Sequence, residues 1–385
     1  MALQTNLDLS RLATSGIRRF TALANQTPGC VKLTLGEPEF DTPAEVKAAV
    51  SASLDRGLTH YPPNNGRAEL LGALSSYMSG FGLSYSPDEI VVTCGATEAL
   101  ASTLLALLDP GDAVIVPTPA FGLYETIVRS AHASVDALDT SRNGFQIDRA
   151  SLADLVRPET KAIVVTSPNN PTGCVYDAAS LDAVASVASE HGLYVVCDDV
   201  YNRLCYADDF ERLAVRHPEL RDQLVVVDSF SKPWAMTGWR LGWLAAAPAL
   251  KAEIQKMHQY LVSSVPAFLQ DAAVVALGVD PAPMRETYAR RRNYVCERLG
   301  SMGLPLVRPE GAFYAFPSIA GLGMGSEAFC ERAIREAGVA LVPGTCFGAE
   351  GFVRISYCVS DEDLELGLDR LGRFVDGLGG GAGTR

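Results

Sequence analysis

Between residues 90 and 247 the chain alternates short, β-branched apolar runs with longer stretches of helical periodicity. The runs Ile90–Thr93, Ala113–Pro117, Ala162–Thr166, Leu193–Cys197, Leu224–Asp228 and Leu241–Ala246 are candidate strands. They are apolar throughout, as expected of strands covered on both faces. Strands interleaved with helices predict βαβ units, hence an α/β fold whose large domain holds a mostly parallel sheet flanked by helices. One crossover helix is marked by Leu181, Val184, Ala185 and Ala188, with Gly192 as its stop. After Pro281 and Pro283, a helical pattern through Met284, Tyr288, Val295 and Leu299 leads out of that domain. The remainder changes character. Ala312–Phe316 and Phe352–Tyr357 read as strands on either side of the helical stretch Ser326–Ala337, which predicts a smaller α+β domain. Its partner is the segment ending in Thr34-Leu-Gly-Glu-Pro38, so the small domain is expected to be built from both chain ends. The division read from the sequence is 1–45 as amino-terminal arm and part of the small domain, 46–283 as large domain, 284–376 as small domain, and 377–385 as a disordered, glycine-rich tail.

The chain's 385 residues suit two domains better than one core. Its 32 basic and 45 acidic side chains give a net charge of −13, which argues against a nonspecific nucleic-acid surface and leaves local basic pockets possible. The nine cysteines form no C-x-x-C pair, so free thiols in a reducing cytoplasm are expected. No apolar run approaches the roughly 20 residues that span a bilayer, and Met1-Ala-Leu-Gln-Thr-Asn-Leu-Asp8 lacks the apolar centre of a secretory signal. No spacing of His, Cys and carboxylates points to a metal, and the carboxyl-terminal glycines have neither the strand nor the helix of a dinucleotide site.

Candidate chemistry gathers behind the predicted strands. Following Leu224–Asp228, the segment Ser229-Phe-Ser-Lys-Pro-Trp-Ala-Met-Thr-Gly-Trp-Arg-Leu-Gly242 sets Lys232 between small hydroxyl residues and eight positions before Arg240. An ordinary lysine is protonated at neutral pH, so a catalytic one needs surroundings that favour its neutral form. Arg240, Ser229 and Ser231 can hold a phosphate beside it. Thr166-Ser-Pro-Asn-Asn-Pro-Thr-Gly173 has a backbone pinned by two prolines, making Asn170 a fixed amide or, more simply, part of a stiff turn. Asp198, opening Asp198-Asp-Val-Tyr201, either pairs with a protonated heterocyclic nitrogen or caps a helix. Gly95, Ala96 and Thr97 stand where a strand gives way to a helix, whose free N–H groups favour an anion. Phe121 can stack on a flat ring or fill the core. Arg354 lies in an apolar strand pattern and needs a carboxylate, from this chain or from a substrate.

Taken in order, these motifs resemble the class I/II aminotransferases of the pyridoxal-phosphate fold type I superfamily, over about Ile17 to Phe374. The resemblance implies pyridoxal 5'-phosphate as cofactor, with Lys232 forming the internal aldimine and acting as the catalytic acid/base. It implies that Asp198 pairs with the pyridine nitrogen, that Tyr201 and Asn170 bond the ring's 3-oxygen, and that Phe121 stacks on the ring. Phosphate contacts fall to Gly95, Ala96, Thr97, Ser229, Ser231 and Arg240. Tyr61 matches a tyrosine that family dimers supply to the neighbouring site, so a homodimer is expected. Arg354 takes the substrate α-carboxylate, and Gly36 and Ile17 border the substrate. The implied reaction moves an amino group between an L-amino acid and a 2-oxo acid such as 2-oxoglutarate.

Substrate choice is less legible. One branch of aspartate aminotransferases has a lysine where this chain has Thr97, which speaks against a strict aspartate enzyme. Ser15-Gly-Ile-Arg-Arg-Phe20, Lys256-Met-His-Gln-Tyr260 and Gly311-Ala-Phe-Tyr314 look like the bacterial aromatic or N-acetyl-LL-diaminopimelate subgroup. Two alternatives use a similar scaffold: a carbon–sulfur β-lyase, and a noncatalytic ligand sensor. The sensor normally carries a DNA-binding domain before the aminotransferase part, for which there is no room before Leu35.

Overall fold

A computed structural model describes residues 16–379; the expectations for Met1–Asp8, for Ser15 and for the glycines after Gly379 lie outside them. Strands are numbered β1 Val31–Lys32, β2 Ile90–Thr93, β3 Ala113–Thr118, β4 Ser134–Asp139, β5 Thr160–Thr166, β6 Tyr194–Asp198, β7 Leu224–Ser229, β8 Gly242–Ala246, β9 Tyr314–Ala315, β10 Val339–Ala340, β11 Val342–Pro343 and β12 Val353–Ser356. Seven form one sheet in the order β2-β8-β7-β6-β5-β3-β4. Only β8 runs against its neighbours, β2 and β7. Side chains of β7 alternate between two cores: Val226 packs on one face and Val225 and Val227 on the other. This two-sided burial is why the strands read as unbroken apolar runs.

β4 escaped the sequence reading. Its Ser-Val-Asp-Ala-Leu-Asp pattern suits an edge strand paired only with β3 and half exposed, so it lacks the continuous apolar run of its neighbours. The expected strand Ala312–Phe316 shrinks to β9, because the N–H of Gly311 is given to the Gly173 carbonyl and that of Ala312 to the Leu204 carbonyl. The last helix, Asp361–Gly379, corrects the expected start of the tail at Gly377: Phe374, Val375 and Leu378 recur at helical spacing and pack on the core beneath.

The smaller α+β part joins distant segments. β1 pairs in parallel with β10, and β12 lies between β11 and β9. Phe20 and Leu33 share a core with Tyr288, Phe313, Phe329 and Ile355. Three strands that carry candidate chemistry, β5, β6 and β7, are adjacent, with Thr166 opposite Asp198 and Asp198 opposite Val227. Their carboxyl ends therefore open at one place, where ligands of open α/β sheets bind. No described helix is long and apolar enough to cross a membrane.

Leu244 is fully buried in β8. Leu244→Ala should cost about 2–5 kcal/mol and lower the midpoint of urea unfolding followed by tryptophan fluorescence.

Candidate active site

A cavity of about 640 Å³ opens at the carboxyl ends of β5, β6 and β7, bordered by the helix Gly16–Asn25 and by Leu35, Gly36 and Glu37. Lys232 reaches it from the loop between β7 and β8, and its Nζ donates to the Gly36 carbonyl at 2.7 Å. Burial pulls its pKa down to about 8, with the Cys358 and Glu37 side chains opposing and the Arg354 and Arg240 charges reinforcing the shift. The amine is therefore partly neutral near neutrality, as a nucleophile requires. Gly36 is needed for close packing: a Cβ there would lie 1.8 Å from the Tyr314 hydroxyl.

Of the two acids that end β6, only Asp198 lines the cavity, since successive strand side chains point to opposite sides. Asp199 and the Asp228 carboxyl lie away from it, and burial raises both, to about 6 and about 8. Asp198 Oδ2 accepts from the Tyr124 hydroxyl at 2.7 Å, while its buried Oδ1 has no protein partner. Burial raises this carboxyl to about 6, against the pull of the Tyr124 hydrogen bond, the Val200 N–H and the Lys232 charge. The short helix that follows, Asn202–Leu204, has Tyr201 and not Asp198 as its N-cap, so the capping alternative does not hold. Tyr201 donates to, or accepts from, the Tyr314 hydroxyl at 2.8 Å. Phe121 lines the cavity just ahead of the helix Leu123–Ser130.

The opposite end suits an anion. The helix Gly95–Leu107 begins with Gly95 at φ +76°, and its N-cap Cys94 gives no side-chain cap. Ala96 and Thr97 line the cavity; Gly95 does not, but supports it from behind, where a Cβ would lie 2.8 Å from Arg240 Nη2. Arg240 takes the left-handed conformation, φ +53°, and its Nη1 donates to the Thr237 carbonyl at 2.9 Å. Ser229 and Ser231 also line this end, with the Ser231 N–H directed to Ser229 Oγ at 3.3 Å.

Arg354 is 1 % exposed and lies over the Tyr314 and Phe347 rings. Its Nη1 donates to Asn170 Oδ1 at 2.8 Å and its Nη2 to the Thr34 carbonyl at 2.5 Å, whereas Nε has no partner. Among the described residues no carboxylate forms an ion pair with it. Of the two carboxylates the sequence left open, the internal one is therefore absent from the described chain. Ile17 and Gly36 border the same space. Tyr61 is 89 % exposed and stands outside the cavity of its own chain.

Sequence reasoning missed Tyr124, Thr166 and Tyr314. Tyr124 stands three residues beyond Phe121, in the first turn of the helix Leu123–Ser130. Its hydroxyl also meets Thr166 Oγ1 at 2.7 Å. Arg18, Thr21 and Asn25 enter from the first described helix and had no local signal.

The fold and this site define an α/β enzyme of fold type I, built around a strand-end lysine facing an anion cradle. The chain belongs to the aminotransferase class I and II family, whose sequence profile matches residues 28–371. It is 41% identical to the Bacillus subtilis protein YugH over 375 residues, spanning 95% of this chain and 97% of that one. It is 36% identical to an aromatic-amino-acid aminotransferase of Thermococcus litoralis over 386 residues, with 97% and 98% of the two chains covered. The aspartate aminotransferase of Thermus thermophilus, solved with maleate, superposes with a TM-score of 0.91 at 35% identity, covering 97% of this chain and 100% of that one. The protein is accordingly a pyridoxal 5'-phosphate-dependent aminotransferase. The orphaned Asp198 Oδ1, which needs an N–H donor, and the Gly95–Arg240 cradle fit that cofactor's two ends.

In the cofactor-free protein, formaldehyde and cyanoborohydride should methylate Lys232 with a rate that rises around pH 8, read peptide by peptide by mass spectrometry; a midpoint near 10.5, the ordinary value, would contradict the burial effect. The folded pKa lies below the unfolded one. Between about pH 8 and 10.5 the unfolded chain thus holds a proton that the folded one lacks, and this group's contribution to stability rises with pH across that window.

Proposed function

We propose that this enzyme transfers the amino group of an L-amino acid to a dicarboxylic 2-oxo acid, 2-oxoglutarate being the expected acceptor. The observation that carries the reading is Arg354, a buried guanidinium beside Asn170 with no described carboxylate of its own, lining the same cavity as Lys232. A substrate α-carboxylate completes its hydrogen bonding, and a bidentate pair fixes the substrate's orientation. The maleate in the Thermus thermophilus relative is a dicarboxylate, which supports an acceptor with two acidic groups.

In this reading Lys232 would hold the cofactor's aldehyde end and, as a free amine, would take and return the proton at the substrate Cα. The bound cofactor supplies the carbonyl that takes up the amino group and a ring that accepts the carbanion's electrons. Asp198 keeps a proton on the ring nitrogen; its hydrogen bond from Tyr124 holds the carboxylate toward the ring. Tyr201 and Asn170, which line the cavity, would hold the 3-oxygen, and Phe121 would pack on the ring. Gly95, Ala96, Thr97, Ser229, Ser231 and Arg240 bind the phosphate. Tyr61 completes that end in the neighbouring subunit of a homodimer, which accounts for its exposure in a single chain. The domain division 1–45, 46–283 and 284–376 places the cavity between the two parts, where closure can exclude water.

Three outcomes test this reading. Lys232→Ala should lower kcat by a factor of roughly 10³ or more while leaving the circular dichroism spectrum unchanged; rapid multiple turnover would refute the assignment. Single amino acids added to the holoenzyme should bleach the cofactor absorbance, and 2-oxoglutarate should be converted to glutamate. Pyruvate and ammonia formed without an acceptor would identify a β-lyase instead, and no bleaching by any amino acid would favour a ligand sensor. Finally, mixing the inactive Lys232→Ala variant with a Tyr61→Ala variant should restore activity through hybrid dimers that hold one intact site; no restoration would place Tyr61 outside the neighbouring site.

A further inference from the structure

The motif Lys256-Met-His-Gln-Tyr260 takes no part in the chemistry above, yet it supplies the one fully buried histidine among the described residues, His258, 0 % exposed on the helix Pro248–Val262. Its Nδ1 lies 3.1 and 3.2 Å from the two carboxylate oxygens of Glu98, and its Nε2 lies 2.9 Å from the Asn64 carbonyl. Both ring nitrogens therefore face acceptors. Glu98 receives only donors: the Cys94 N–H at 3.1 Å and the Ser102 hydroxyl, besides His258. A ring carrying two protons beside an ionised carboxylate satisfies every atom of this arrangement.

Glu98 stands in the first turn of the helix Gly95–Leu107, the helix whose start forms the anion cradle. A carboxylate there is stabilised by the helix dipole, and for the same reason it competes with any other anion at that end and repels it. The competition is reduced if a positive charge lies against the carboxylate. His258 is in contact with both of its oxygens.

We propose that His258 is a positioning residue that neutralises Glu98, so that this carboxylate fixes the turn at Cys94 without opposing the cofactor phosphate at the same helix end. The inference rests on the reading of Gly95–Thr97 and Arg240 as the phosphate cradle. It predicts a defect specific to the phosphate and reversible by removing the carboxylate charge.

The test compares dissociation constants of pyridoxal 5'-phosphate and of pyridoxal, which lacks the phosphate, by equilibrium dialysis. His258→Gln should weaken pyridoxal 5'-phosphate binding by about tenfold or more and pyridoxal binding by less than about twofold, and adding Glu98→Gln should bring the first back to within about threefold of wild type. Equal weakening of both ligands, or no recovery in the double variant, would overturn the proposal. If His258→Gln is not recovered folded, Glu98→Gln alone decides: binding of pyridoxal 5'-phosphate as tight as in wild type supports the proposal, and a loss of about tenfold or more refutes it. A wild-type protein that binds pyridoxal as tightly as its phosphate ester would instead remove the cradle reading itself.

Discussion

Gly242 is the point at which the two halves of the site are joined. It pairs with Thr93 on one side and with Ser229 on the other, because β8 runs antiparallel between β2 and β7. The strand leading to the anion cradle and the strand leading to Lys232 are thereby each held one sheet spacing from the same residue, on its two sides. A Cβ at this position would lie 2.8 Å from the Asp228 carbonyl oxygen and 2.9 Å from the Ala96 nitrogen. Those contacts are with backbone, which cannot swing aside as a side chain can. The distance between lysine and cradle is thus set by backbone pairing, and the flexible lysine side chain has only to span it.

Around that frame the site separates charges that the rest of the chain would scatter. Although the protein carries a net charge of −13, Lys232, Arg240 and Arg354 converge on one cavity. Burial leaves the lysine partly neutral. Of the two acids that line the cavity, Glu37 and Asp198, the latter is held by Tyr124 and lies at the buried end of β6. Aromatic rings fill the space between these groups: Tyr314 lies under Arg354 and touches Tyr201 through its hydroxyl. This packing limits water, so each charge acts with less screening than it would at the surface.

Kinship with aspartate and aromatic aminotransferases shows how one frame serves different substrates. Thr166, Asp198 and Ser229 reach the cavity from the ends of central strands. Other residues that line the cavity, such as Ile17, Arg18 and Thr21, come from a separate helix near the start of the chain. Changes on that helix need not disturb the sheet, since it packs mainly on the smaller part through Phe20 and Ala24.

The sequence by itself determined the central strands, because burial on both faces forces continuous apolar runs, and it pointed to Lys232, Asp198, Asn170 and Arg240, which follow those runs within short motifs and do line one cavity. It also carried the resemblance from which the reaction was expected. Edge strand β4 remained hidden for the converse reason, as half exposure leaves no such run. Tertiary structure alone decided which of Asp198 and Asp199 faces the cavity, that Arg354 has no described carboxylate partner, and that Tyr124, Thr166 and Tyr314 belong to the site. The same holds for His258 and Glu98, 160 residues apart. Each of these facts depends on side-chain direction and on contacts between distant segments, which local periodicity does not encode.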